Sequence, residues 1–296
     1  MEENRIVKIR ENVFHIYESL GVWCTLITGS KAALLIDTGF GFGDISRKVR
    51  KLTDLPLTVI NTHGHVDHIQ GNKFFDTVLL HEDDRRIIKQ YSSFPVKLAV
   101  YLGAKKTLSP EEKRNVPKFF KRNVQNLQYI QDGHLIDLGD RVLEVIHTPG
   151  HTKGSVCILD KKDRILFSGD SISSHVWLFL KESTSVKKYI ESISKVIKRK
   201  AEFDSILSSH SPAVFKTTIL EKILHCAEHI DVSKSTVYDS HLAGKGLLYS
   251  EGFEKIQAAY GYATFEEFLK HTGEIAPEEI ADIEFVSIVY TKKKLG

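Results

Sequence analysis

The sequence predicts an α/β fold, and three observations carry that reading. Short β-branched, aliphatic and aromatic runs recur through the first two thirds of the chain, stretches with helical apolar spacing alternate with them, and strand ends repeatedly carry residues that ligate metals. The early strands are Ile6-Val7-Lys8-Ile9, Val13-Phe14-His15-Ile16-Tyr17 and Cys24-Thr25-Leu26-Ile27-Thr28. Gly29-Ser30-Lys31 reads as a hairpin turn into Ala32-Ala33-Leu34-Leu35-Ile36, which is apolar throughout, as a strand buried on both faces should be. That run stops at Asp37-Thr38-Gly39. A helix follows, with Asp44 as N-cap and Ile45, Val49 and Leu52 on one side. Leu57-Thr58-Val59-Ile60 is the next strand and Thr77-Val78-Leu79-Leu80 another.

From about 82 to 126 the chain is rich in lysine and arginine and reads as a helical insertion, either a lid or a plain surface excursion, with Ser109 and Pro110 marking a helix start. Strand patterning returns at Leu127-Gln128-Tyr129-Ile130, His134-Leu135-Ile136-Asp137-Leu138 and Val142-Leu143-Glu144-Val145-Ile146. Two further strands, 156–159 and 164–167, flank the turn Asp160-Lys161-Lys162-Asp163. Val186, Tyr189, Ile190, Ile193, Val196 and Ile197 mark an amphipathic helix, and Ser205-Ile206-Leu207 a strand. The stretch 216–296 reads as a mostly helical extension packed on the same domain as 1–215, with a last strand at 285–290.

Composition narrows the function classes. At 296 residues, 42% hydrophobic and 27% charged, the chain has the balance of a soluble globular protein. A net charge of +3, with no arginine-rich block interleaved with aromatics, gives no reason to expect nucleic acid. The longest apolar runs fall far below membrane-spanning length, and Met1-Glu2-Glu3-Asn4-Arg5 lacks the apolar core of a signal peptide. Cys24, Cys157 and Cys226 are odd in number and widely spaced, which fits buried thiols in a reducing compartment. These features together lead us to expect a cytoplasmic protein with a small-molecule substrate, no nucleic-acid or membrane partner, and a 216–296 region that either caps the pocket or forms a homodimer surface.

The chemistry concentrates in Asn61-Thr62-His63-Gly64-His65-Val66-Asp67-His68. Imidazole and carboxylate are the ligands that zinc and similar divalent ions accept. In an extended segment His63, His65 and Asp67 would share one face, with His68 brought in by a turn. Asp170, His210 and His151 each follow a strand or a Gly-Pro turn elsewhere in the chain. Seven donors (His63, His65, Asp67, His68, His151, Asp170 and His210) exceed what one tetrahedral ion needs and suit two metals, with Asp170 as bridge.

These motifs, in this order, resemble those of the metallo-β-lactamase superfamily: Asp37-Thr38-Gly39, His63-x-His65-x-Asp67-His68, Thr148-Pro149-Gly150-His151-Thr152, Ser168-Gly169-Asp170 and the late His210. The resemblance covers roughly residues 6 to 215 and implies an αββα sandwich of two mixed β-sheets flanked by helices. It also implies that His63, His65 and His151 hold one metal, that Asp67, His68 and His210 hold the second, and that Asp37 buttresses the ligand loop. Two departures stand out. Ser209 occupies a position where glyoxalase II-like members usually show glycine, and Ser173 stands where acyl-homoserine lactonases carry a tyrosine.

The expected function is hydrolysis of an ester, thioester, lactone or amide by a hydroxide bridging two divalent ions, zinc first, with iron or manganese as alternatives. Asp67 or Asp170 would pass a proton to the leaving group. Phe40, Phe42, Trp177 and Phe179 lie beside ligand-bearing turns and are expected to wall an apolar pocket, with His175 near substrate. The rival readings are a mononuclear iron oxygenase of the persulfide-dioxygenase type, a phosphodiesterase and a noncatalytic metal-binding protein.

Overall fold

Alternation of side chains along the strands decides the layering. The computed structural model describes residues 5–121, 126–240, 243–262, 267 and 285–296. Strands β1 (Ile6–Arg10), β2 (Val13–Ser19), β3 (Val22–Thr28), β4 (Ala33–Ile36), β5 (Leu57–Ile60), β6 (Thr77–His81) and β7 (Asn126–Ile130) form one sheet in chain order. Its first four strands pair antiparallel, and β4 to β7 run parallel. The second sheet holds β8 (Leu135–Asp137), β9 (Val142–His147), β10 (Val156–Asp160) and β11 (Ile165–Gly169). Strand β12 (His175–Trp177) leaves it, and β13 (Ser205–Ser208) and β14 (Val214–Lys216) complete it in the order β14-β13-β11-β10-β9-β8. Here β11 and β13 are parallel and the other pairs antiparallel.

Ile27, Leu34, Ile36 and Ile60 of the first sheet meet Val145, Ile158, Phe167 and Leu207 of the second in one core between them. Their neighbours in sequence point the other way. Ala33 and Leu35 pack with Ile45 and Val49 of α1 (Ile45–Arg50), and Cys157, Leu159 and Leu166 lie under a helical layer on the far side. The intervening helices are α2 (Val66–Ile69), α3 (Arg85–Tyr91), α4 (Phe94–Ala104) and α5 (Pro110–Phe119). The far layer is α6 (Val186–Ile197) and α7 (Ile219–Glu228). The result is the αββα sandwich, and each fully buried Leu or Ile in it contributes roughly 1.5–3 kcal/mol.

Three expectations need correction. Asp44 stands at the start of α1, but with φ 47° and no side-chain cap; its carboxylate instead takes Ser46 Oγ (2.7 Å) and Lys118 Nζ (2.9 Å). The 63–67 segment is not extended throughout, because α2 begins at Val66, so helical turns rather than strand alternation aim Asp67 and His68. Third, 216–296 is not mostly helical among its described residues. Beside α7 and α8 (Phe253–Tyr260) it contains β15 (Thr236–Asp239), β16 (Lys245–Glu251) and β17 (Val286–Tyr290). These three join β12 in a third sheet of order β12-β17-β16-β15, with β17 parallel to β12. The helical expectation for 263–266 and 268–284 lies outside the described residues. Helix α5 starts as its sequence predicts, Ser109 and Glu112 forming a reciprocal capping box.

Candidate metal centre

The C-terminal ends of β5, β9, β11 and β13 deliver all seven sequence-selected donors to one edge of the sandwich, and that of β4 brings Asp37 beneath them. His63, His65 and His151 place a ring nitrogen each within 4.8 Å of one another, and beside them the carboxylate oxygens of Asp67 and Asp170 and ring nitrogens of His68 and His210 lie equally close together. Gly169 makes this convergence feasible. Its φ is +52°, and a Cβ there would sit 2.5 Å from Thr62 Oγ1, so the β11 turn meets the histidine loop only with glycine. The histidine loop is further tied to the start of β10 by Val156 N donating to Thr62 O at 2.9 Å.

The outward hydrogen bonds decide which nitrogen of each imidazole is free. His151 Nδ1 donates to the Trp177 carbonyl at 2.8 Å, which leaves Nε2 with its lone pair. His65 Nε2 donates to Glu182 Oε1 at 2.9 Å, leaving Nδ1. Thr62 Oγ1 donates to Asp37 Oδ2 and so accepts from His63 Nδ1 (3.1 Å), leaving His63 Nε2. The three remaining nitrogens converge, His65 Nδ1 lying 3.0 Å from His63 Nε2 and 2.8 Å from His151 Nε2. Three lone pairs pointed at one place repel unless a cation lies between them, and outward-facing hydrogen bonds of this kind are how proteins orient metal-ligating histidines.

The neighbouring group behaves alike. His68 Nδ1 donates to Asp37 Oδ2 at 2.8 Å, while His68 Nε2 and Asp170 Oδ1, 3.5 Å apart, are buried without hydrogen-bond partners. Buried polar atoms without partners are costly, and a dication would satisfy both. Asp170 Oδ2 lies 3.5 Å from His151 Nε2 and 3.1 Å from His210 Nε2, so this carboxylate touches both groups. Burial would raise the pKa of Asp67 and Asp170, but the adjoining imidazoles outweigh it and hold both well below the usual carboxylate range. His210 is pushed up to about 10 against its burial by Asp170 and Asp67. The donor set therefore fits two divalent ions.

Asp37 sits beneath the loop, fully buried with φ 60°. Its carboxylate accepts from Thr62 N, Thr62 Oγ1, His68 Nδ1 and Ser209 Oγ, at 2.8, 2.8, 2.8 and 3.1 Å. Four donors offset the desolvation of a carboxylate that carries no metal-facing oxygen of its own.

The expected apolar pocket is corrected in part. Phe42 is wholly buried, its ring stacked on Phe119 at 4.2 Å, and Phe179 is buried against Tyr238 and Val289 in the third sheet's core. Both are core residues, because the insertion and the C-terminal sheet cover the turns they follow. His175 is engaged at both nitrogens, by Ser287 Oγ and by the Trp177 indole, each at 2.7 Å. Phe40 and Trp177 remain half-buried, and the Trp177 carbonyl serves the site by holding His151. His147 stacks on His81 at 3.8 Å and donates to the Lys153 carbonyl.

Three residues that sequence reasoning did not select complete the centre. Asp84, fully buried after β6, accepts from Gly64 N, Thr152 Oγ1 and Gly154 N at 2.8, 2.8 and 2.7 Å, which staples the His63–His65 turn to the His151 turn. Its signal was present, since it is another carboxylate just past a buried strand. Glu182 orients His65, and Tyr91 OH donates to the same oxygen. Neither lies in a recognisable pattern.

Comparison with known proteins agrees with this geometry. A sequence model described as the metallo-beta-lactamase superfamily matches residues 18–210. The chain is 32% identical over 177 residues to the acyl-coenzyme A thioesterase MBLAC2 of Bos taurus, covering 55% of this chain and 62% of that protein. Against the protein of the same name from Gallus gallus it is 28% identical over 199 residues, covering 64% and 70%. The match thus spans about three fifths of the bovine relative's length. Among solved structures, a metallo-beta-lactamase from Pontibacter korlensis superposes with TM-score 0.55 at 17% identity, covering 77% of this chain and 100% of that one. The sec-alkyl sulfatase PisA1, as a double mutant, gives 0.60 at 13% identity, over 76% of this chain and 42% of its own. With the family model spanning most of the chain and the ordered motifs meeting at one sheet edge, the chain belongs to the metallo-beta-lactamase superfamily.

Proposed function

We propose that the chain is a binuclear metallohydrolase that cleaves thioesters of the acyl-coenzyme A type. The observation that supports two metals is Asp170, whose oxygens reach His151 on one side and His68 and His210 on the other. The thioester assignment draws on the similarity to proteins named acyl-coenzyme A thioesterases.

His63, His65 and His151 would hold one ion, and Asp67, His68 and His210 the other, with Asp170 between them. Bound ions of this kind lower the pKa of water toward neutrality and polarise a carbonyl oxygen. The chain's own contribution is orientation and proton handling. Asp37, Glu182 and the Trp177 carbonyl fix the imidazoles, so that their lone pairs are presented without reorganisation. Asp67, partly open to solvent beside His210, is placed to take up on a carboxylate oxygen the proton that the attacking water loses and to pass it to the departing thiolate. A covalent route is poorly served. Cys157 is buried with its thiol pushed up to about 11 by burial, and Ser168 Oγ is committed to the Ile172 and Leu207 carbonyls.

The test is metal analysis with thioester turnover across acyl chain lengths, monitored by thiol release. Two equivalents of metal and turnover lost by at least about a thousandfold in Asp170→Ala, with metal content reduced, is the expected result. One equivalent of iron with oxygen uptake would instead establish the oxygenase reading.

A further inference from the structure

We propose that helix α4 and the lysines just past it form a peripheral docking surface for an anionic lipid membrane. The helix carries an apolar stripe on its solvent side as well as one facing the core. Its single charged residue, Lys97, is 2% exposed and donates to the carbonyls of Phe119 (3.3 Å) and Lys121 (2.7 Å). Val100, Tyr101 and Ala104 pack inward with Phe42 and Phe119, while three other apolar residues face out, Phe94 61%, Leu98 38% and Leu102 50% exposed. Spaced four apart, these three form one stripe, flanked by the exposed Pro95 and Ala99. Lys105 and Lys106 follow that side beyond the last turn, and both are exposed.

Charge selects the occupant. All eight exposed charged side chains between 85 and 121 are arginine or lysine, in a chain whose net charge is only +3. The glutamates of this region, Glu111 and Glu112, are half-buried in the first turn of α5. A second copy of the chain would set these cations against their own kind. Nucleic acid would meet the charge but leave the Phe94-Leu98-Leu102 stripe without a partner. A membrane with acidic headgroups satisfies both, the stripe entering the acyl boundary while the lysines meet phosphate and carboxylate. The expectation of no membrane partner rested on the lack of a spanning-length apolar run; no helix among the described residues is long and apolar enough to cross a membrane, and this surface would lie on one instead. It also borders the metal centre, since α3 ends at Tyr91, whose ring lies 5.1 Å from that of His65. Docking would therefore bring the mouth of the site to a surface where long acyl chains partition.

The test reads binding without turnover, so it stands or falls apart from the hydrolytic assignment. The full chain is sedimented with vesicles of phosphatidylcholine alone and of phosphatidylcholine with phosphatidylserine. Binding to the acidic vesicles, weaker on neutral ones and reduced by salt, is expected. K105E/K106E should lower the partition roughly 25-fold or more, at about fivefold for each lysine. L98D/L102D should lower it about tenfold or more while leaving the circular dichroism spectrum and melting temperature unchanged. The proposal is overturned by lack of binding to acidic vesicles, by equal binding to both compositions, or by wild-type binding of L98D/L102D. A dimer in light scattering that L98D/L102D dissolves would make the face a self-interface. Tighter retention on duplex DNA that survives L98D/L102D would make it a nucleic-acid surface. Either result also overturns it.

Discussion

At Glu182 one carboxylate oxygen serves two donors, His65 Nε2 and the Tyr91 hydroxyl. Burial alone would raise its pKa, yet these hydrogen bonds hold it at about 2. Glu182→Gln keeps the shape but lets the amide rotate and weakens the pull on the His65 proton. Metal affinity, measured by competition with a chelator, should fall roughly 10–100-fold, with little change in the melting temperature of the metal-free protein. Lys73 presents the opposite economy. Burial, with repulsion from Lys97, brings its pKa down to about 7, and its ammonium is bonded to the Gly41 carbonyl at 3.2 Å. The folded pKa lies below the unfolded value of 10.5, so between about pH 7 and 10.5 the unfolded chain holds a proton that the fold has released. Stability from this group therefore rises with pH across that window, and below it the fold bears the cost of holding a half-buried cation. Lys73→Met should flatten the rise, read as the wild-type minus variant difference in urea midpoint at pH 7 and at pH 9.5. Individual ligands were legible as residue types, because histidine clustered with aspartate has few other uses. Glu182 was not, because an isolated glutamate is common on any surface.

Elements set the directions in which those residues point. Strand β10 sends Val156 and Ile158 into the inter-sheet core, and Cys157 and Leu159 under α6 and α7. That alternation of two buried faces was visible as a continuous apolar run. The turn after β11 is a tight junction, and Gly169→Ala should cost about 2–4 kcal/mol, from a left-handed backbone and a clash with Thr62. Urea denaturation of the metal-free variant checks this without reference to activity. Helix α5 was readable to the residue because a capping box is a local code. The start of α1 was not, since Asp44 is claimed by Lys118, which is 74 positions away. The third sheet was also hidden, because β17 finds its parallel partner β12 across 112 positions, and a short strand without its neighbour looks like any apolar segment.

Over the whole molecule, the candidate metals would join the two halves of the sandwich. His63, His65, Asp67 and His68 come from the first sheet's edge, and His151, Asp170 and His210 from the second's. Ions bound only by the folded state stabilise it, by about 4 kcal/mol at a thousandfold excess over the dissociation constant. Chelation should accordingly lower the melting temperature by roughly 10 °C, and readdition of divalent metal should restore it. A calorimetric scan that does not move on chelation would exclude a metal shared between the sheets.

By itself the sequence determined the α/β class, the ordered motifs of the family, and the seven side chains that meet at one edge. Each of these is carried by local pattern, either strand alternation or ligand-type residues placed just past a strand. The tertiary structure decided which nitrogen of each histidine faces inward, which aromatics are core instead of pocket, and that Asp84 and Glu182 belong to the centre. The reason is that each of these depends on a partner distant along the chain, as Glu182 is 117 positions from His65, and only the closed sandwich brings such pairs within hydrogen-bonding reach.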